Sequence, residues 1–126
     1  MGNKHEEWMK LADYDMDTAD VLYDAGRYFY AVFMCHRSIE KALKGLYGKE
    51  LADAPPKTNN LLYLLKKIGK KLEKNVVTFI VKLNTASVDT RYPDDLAKIQ
   101  AAYTKEVTHD IMTRSKDLLK WIKNQF

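Results

Sequence analysis

Apolar residues along this chain recur at intervals of three and four, and few helix breakers interrupt them. Proline stands only at Pro55, Pro56 and Pro93, so the pattern divides into long segments that predict helices. The first is expected from about Glu6 to Ala25, stopped by Gly26. The second runs from about Tyr28 to Glu50 and is followed by the loop ADAPPKT. A third is expected over about Asn60 to Lys74, a fourth over Val76 to Val88 and a fifth over Thr104 to Asn124. A short extra helix is expected after Pro93, with that proline in its first turn and Asp94 and Asp95 near its positive end. The expected fold is therefore all-α, an up-and-down bundle of four to five antiparallel helices in one domain over residues 1–126.

On the first helix Trp8, Leu11, Ala12, Ala19 and Leu22 share a face, while Asp13, Asp17, Asp20 and Asp24 form a separate acidic stripe. Asp15 falls within the apolar face, where an ionised carboxylate needs a partner. The second helix has three faces. Phe29, Val32, Ile39, Leu43, Leu46 and Tyr47 form a large apolar face. Beside it Ala31, Cys35, Ser38, Ala42 and Gly45 make a ridge of small residues that admits a close neighbour. Arg37, Lys41 and Lys44 charge the third face, with Glu40 at its border and His36 set inside the apolar one. The turn at Gly26 makes the first two helices an antiparallel hairpin and brings Asp15 level with His36 and Arg37, so a hydrogen bond from one of them to Asp15 is expected.

The third helix is expected to bury Leu61, Leu64, Leu65, Ile68 and Leu72 and to expose Lys66, Lys67, Lys70, Lys71 and Lys74. The last helix turns Val107, Ile111, Leu118 and Ile122 inward, leaving Asp110 and Arg114 as an outer ion pair four residues apart. Lysine plus arginine (21) exceed aspartate plus glutamate (17), giving a formal charge of +4, too mild an excess for a protein that coats DNA. Cys35 is the only cysteine, which excludes an intramolecular disulfide and a cysteine-based zinc site. No apolar run spans a membrane, MGNKHEEW lacks a signal-peptide core, and Glu6 breaks the myristoylation pattern, so a cytoplasmic location is expected.

The spacings give little support to several kinds of chemistry. Glu106 and His109 stand three apart as in di-iron bundles, yet no second copy exists, and His36 with Glu40 supplies too few ligands for zinc. His36 reads better as a core histidine satisfied by Asp15 or Glu40. No metal or cofactor is expected. Cys35 and Ser38 lie on the packing ridge, away from the exposure a nucleophile needs. There remain Arg37, Lys41 and Lys44 as anion binders, with Asp15, His36, Glu40 and Asp94 as polar orienters. Arg91, in TRYPDD, serves either as a staple of the bundle or as a further part of the anion site.

The chain resembles the HEPN domain family in Trp8, Ala12, Asp15, Met16 and Ala19, in the link Gly26 to Phe33, and in Glu40-Lys41-Ala42-Leu43-Lys44. Pro55-Pro56-Lys57-Thr58 and Arg91-Tyr92-Pro93-Asp94 are similar to its loop signatures. The resemblance implies a helical bundle, commonly a homodimer, often encoded beside a minimal nucleotidyltransferase as half of a toxin–antitoxin pair. Some members are metal-independent ribonucleases with an arginine followed four to six residues later by histidine. None of the three histidines here follows an arginine at that spacing, and the family's Thr-His-Asp-Leu reads Thr58-Asn59-Asn60-Leu61. Nucleotide or RNA binding alongside such a partner is therefore the expected function, ahead of an active endoribonuclease or a purely structural dimerisation module.

Overall fold

The computed structural model describes residues 4–126, which form six helices: α1 (Lys4–Asp24), α2 (Tyr28–Leu51), α3 (Leu61–Ile68), α4 (Lys74–Arg91), α5 (Leu96–Ala102) and α6 (Lys105–Asn124). The four long helices alternate in direction. Ser38 Oγ donates to the Ala12 carbonyl (2.7 Å), and Gly45 lies against His5 and Trp8, so α2 runs back along α1. His36 meets Asn84, and Arg91 meets Phe33, setting α4 against α2. Arg114 over Phe79 and Lys116 with Asp20 place α6 antiparallel to both α4 and α1.

Local chemistry accounts for the helix ends. Gly26, at φ 76°, closes α1 while the Arg27 N–H donates to the Leu22 carbonyl (2.8 Å), the six-to-one bond of a left-handed helix stop. Gly69, at φ 81°, ends α3 at Ile68, well short of the Lys74 expected from the leucine periodicity. Helix α4 then starts at Lys74 and continues to Arg91, so Arg91 sits in a helix's last turn and not in a loop. The helix stops at Tyr92 because a residue preceding proline is pushed out of the α region. Pro93 lies before α5, not inside it. The N-cap of α5 is Asp95, whose side chain accepts from the Lys98 N–H (3.2 Å), while Asp94 is exposed.

Helix α2 is the centre of the molecule and packs on each of the other five. Its small ridge brings α1 in close: Ala12, Ala19, Ala31, Cys35, Ser38 and Ala42 are buried, and a Cβ on Gly45 would lie 3.0 Å from the His5 carbonyl oxygen and Trp8 Cβ. On its other side Val32, Ile39, Leu43 and Leu46 are sealed with Leu61, Leu64, Ile80, Leu83, Ile111 and Ile122. Two residues expected inside are outside: Leu11 is 47% exposed and Val107 is 38% exposed. The acidic stripe of α1 is partly neutralised within the fold, Asp13 by Lys123 (2.6 Å) and Asp20 by Lys116 (2.7 Å) of α6. Asp110 and Arg114 form the expected outer pair, at 3.3 Å. No helix among the described residues is long and apolar enough to cross a membrane.

Candidate anion-binding groove

Asp15 is buried, as its misfit position requires, but its partner is Lys41, at 2.5 Å, and not His36 or Arg37. The hairpin register is as expected, and the direction of the side chains changes the partner. Helical side chains lean toward their own N-terminus, so the long Lys41 side chain reaches back about one turn and arrives at the level of Asp15. Lys41 is thereby withdrawn from the exposed charged face. Asp15, expected to orient a ligand, serves this α1–α2 contact instead.

The charges left on α2 gather elsewhere. Arg37, Glu40 and Lys44 line an open groove of about 460 Å³, closed by Arg91 at the end of α4 and by Lys57, Thr58 and Asn59 in the loop before α3. Four cations thus face one carboxylate. Glu40 is bound to Lys44 at 3.1 Å, and Lys44 also lies over the Trp8 ring, 5.8 Å from its centroid. Arg37, Arg91 and Lys57 form no ion pair among the described residues. Both arginines instead rest on one ring: the Arg91 guanidinium is 5.2 Å and that of Arg37 5.8 Å from the centroid of Phe33. Aromatic support of this kind restricts a guanidinium without consuming its five N–H donors, which stay available to a phosphate.

His36 lies beneath this groove and is fully buried. Its Nε2 faces Asn84 Oδ1 at 3.2 Å, and its Nδ1 lies 4.0 Å from Glu40 Oε1 with no hydrogen bond. Burial holds the imidazole below the ordinary histidine range, outweighing the opposing pull of Asn84, Glu40 and the Asn59 backbone, and nearby Arg91 acts in the same direction as burial. The ring is thus neutral at pH 7. Its Nε2 is paired by Asn84 rather than by the expected Asp15 or Glu40, and its Nδ1 is left without a hydrogen bond. Cys35 is equally shut away: burial pushes its thiol up to about 12, which keeps it from acting as a nucleophile.

Of the expected site residues, the fold brings Arg37, Glu40, Lys44 and Arg91 together, with His36 below them, and leaves Lys41, Asp15 and Asp94 outside. Lys57 and Phe33, which the sequence marks only as part of the family resemblance and not as site residues, join the group, as does Asn84, which it does not mark at all. Phe33 has a legible signal, since it lies one turn before Arg37 on the same helix. A larger cleft of about 630 Å³ opens between the α3–α4 linker and α6. Its apolar floor includes Phe79 and Trp121, but Lys71 and Arg114 on its rim are offset by Glu73 and Asp117, so it exerts no net pull on an anion.

The sequence model of the HEPN domain matches residues 5–125, nearly the whole bundle that carries this groove. The chain belongs to the HEPN domain family. The HEPN fold is also shared with two crystal structures. One is TT1696 from Thermus thermophilus (20% identity, TM-score 0.83, covering 99% of this chain and 100% of that one). The other is ST0689, an archaeal HEPN homologue (21% identity, TM-score 0.79, covering 99% and 98%). No curated protein sequence matches this HEPN chain.

Proposed function

We propose that this HEPN domain binds a phosphate of RNA or of a nucleotide in the groove between α2, α4 and the loop before α3. The observation that carries this reading is the pair Arg37 and Arg91, set on one phenyl ring with no carboxylate among the described residues pairing either of them. Two forked donors from two helices suit the oxygens of one phosphate or of adjacent ones, and Lys57 adds a third unpaired charge from the loop. Lys44, already engaged with Glu40, contributes mainly to the local field.

Binding is favoured over cleavage because the imidazole nearest the arginines is sealed and neutral. General acid–base work on a phosphodiester needs a proton-transfer group within hydrogen-bond reach of the reacting atoms, and His36 spends its Nε2 on Asn84 beneath the surface. On the family resemblance, the protein acts as a homodimer alongside a minimal nucleotidyltransferase, as half of a toxin–antitoxin pair. A nucleotidyltransferase in the neighbouring reading frame that co-purifies with the chain would support that partnership, and a chain that purifies alone and monomeric would count against it.

The groove is tested by fluorescence anisotropy with a labelled single-stranded oligoribonucleotide and a labelled nucleotide. Affinity should fall with rising salt, and Arg37→Ala/Arg91→Ala should lower it about tenfold or more while flattening the salt dependence. Undiminished affinity in that folded variant would refute the site.

A further inference from the structure

We infer that Asn84 of α4 is a positioning residue for the groove: it latches the loop that carries Lys57 onto the buried His36, so that the loop cation stands beside the two arginines. The inference rests on the anion-groove reading and assigns a role to a residue that does not line the groove.

The loop wall differs in kind from the helical wall. Arg37 and Arg91 are delivered by helices and share Phe33, whereas Lys57, Thr58 and Asn59 belong to the irregular stretch between α2 and α3. Such a segment must be held by specific bonds if its side chains are to keep their places. Asn84 supplies them. Its Oδ1 accepts from the Leu61 backbone N–H (3.0 Å), and its Nδ2 donates to Asn60 Oδ1 (3.0 Å). Asn60 Oδ1 also accepts from the Tyr63 N–H (3.2 Å), capping α3, and the Asn60 N–H donates to Thr58 Oγ1 (3.1 Å). A continuous path thus runs from α4 through Asn84 and Asn60 to Thr58, next to Lys57. Apart from His36, which touches the Asn59 backbone, no other side chain outside the loop hydrogen-bonds the stretch from Thr58 to Leu61 among the described residues.

The proton positions follow from the backbone. Leu61 N–H can only donate, so the Asn84 atom facing it is the carbonyl oxygen, and the amide orientation is determined. That oxygen also faces His36 Nε2, which must therefore carry the ring proton. His36 is the anchor and not the actor: a fully buried ring with its Nδ1 unpartnered offers Asn84 one donor in a fixed place. Losing the Asn84 carboxamide would strand the Leu61 N–H and His36 Nε2–H together, and the loop would have to open to water to satisfy them.

The test pairs Asn84→Ala with Lys57→Ala and reads oligoribonucleotide affinity at several salt concentrations, with circular dichroism as the fold control. Each single variant should bind about threefold to tenfold more weakly and lose about one phosphate contact's share of the salt dependence. The double variant should be no weaker than the weaker single, because removing the latch already misplaces Lys57. Effects that multiply, or an Asn84→Ala protein that binds like wild type, would overturn the inference. Asn60→Ala cuts the same path at an exposed position and serves if Asn84→Ala does not fold; it too should be non-additive with Lys57→Ala. Amide exchange gives a readout independent of ligand. The Leu61 and Tyr63 amides should lose protection in Asn84→Ala while those of α2 and α6 keep theirs, and retained protection at Leu61 and Tyr63 would contradict the latch. Wild-type protein that fails to bind RNA would sink the groove reading itself, and the exchange result would still decide whether Asn84 holds the loop.

Discussion

The guanidinium of Arg91 lies 5.2 Å from the centre of the Phe33 ring, a contact between the last turn of α4 and the second turn of α2. Phe33 also carries Arg37, so a single hydrophobic side chain sets the direction of both groove arginines. A cation over an aromatic face contributes about 0.5–2 kcal/mol, depending on how far it is desolvated. Phe33→Leu keeps most of the volume and removes the ring's negative face. It should weaken RNA or nucleotide binding roughly threefold to tenfold and cost less than about 1.5 kcal/mol in thermal stability. Affinity and melting temperature measured on the same preparation would separate the two effects, and unchanged affinity would mean that the arginines do not depend on the ring.

Among the described residues, Asp15 and Lys41 make the one ion pair that joins α1 to α2, with the carboxylate buried. Removing one partner leaves the other without compensation. Because the lysine can still turn its amine toward water, the expected loss for Asp15→Asn is about 1–3 kcal/mol rather than the larger cost of a sealed pair. The two single variants Asp15→Asn and Lys41→Met should not add in denaturant unfolding, and the double variant should recover part of the loss. Additive losses would show that the contact contributes nothing of its own.

His36 gives stability a pH dependence of known sign. Its folded form resists protonation because it is buried, while the unfolded chain takes up that proton near the ordinary value of 6.5. Below about pH 6.5 the unfolded state therefore binds more protons. This contribution is complete above that pH and is lost as the pH falls toward the folded value, with a slope of at most about 1.4 kcal/mol per pH unit. His36→Gln, which can still donate to Asn84, should remove this part of the slope below about pH 6.5. Identical slopes in the two proteins would contradict the buried, neutral imidazole.

Much of this molecule is legible in the pattern of residues, and what is not legible shares a cause. The small ridge Ala31, Cys35, Ser38, Ala42 and Gly45 identifies the face of α2 that takes α1, because close approach requires small side chains wherever the partner lies. Asp15 is recognisable as a residue in need of a partner, since an ionised carboxylate on an apolar face has few options. Which partner it takes depends on how a lysine leans along its helix, and that choice goes to Lys41. Arg37, Glu40, Lys44 and Arg91 stand out by charge and motif. Asn84 does not, because one asparagine in KLNTAS looks like any exposed helix position until the fold brings it to His36, 48 residues away. The early end of α3 is hidden for a smaller reason: leucine spacing runs through Gly69, and only the backbone's left-handed turn there shows that the helix has stopped.

The central claim is that Arg37 and Arg91 contact the phosphate together, and arginine side-chain NMR reads this directly. In a titration of the protein with a single-stranded oligoribonucleotide, the Nε–H resonances of Arg37 and Arg91 should shift in parallel and saturate at one midpoint, with Arg27 and Arg114 unmoved. Shifts confined to Arg27 or Arg114, or no arginine shift at concentrations where RNA is bound, would contradict the assignment of this groove.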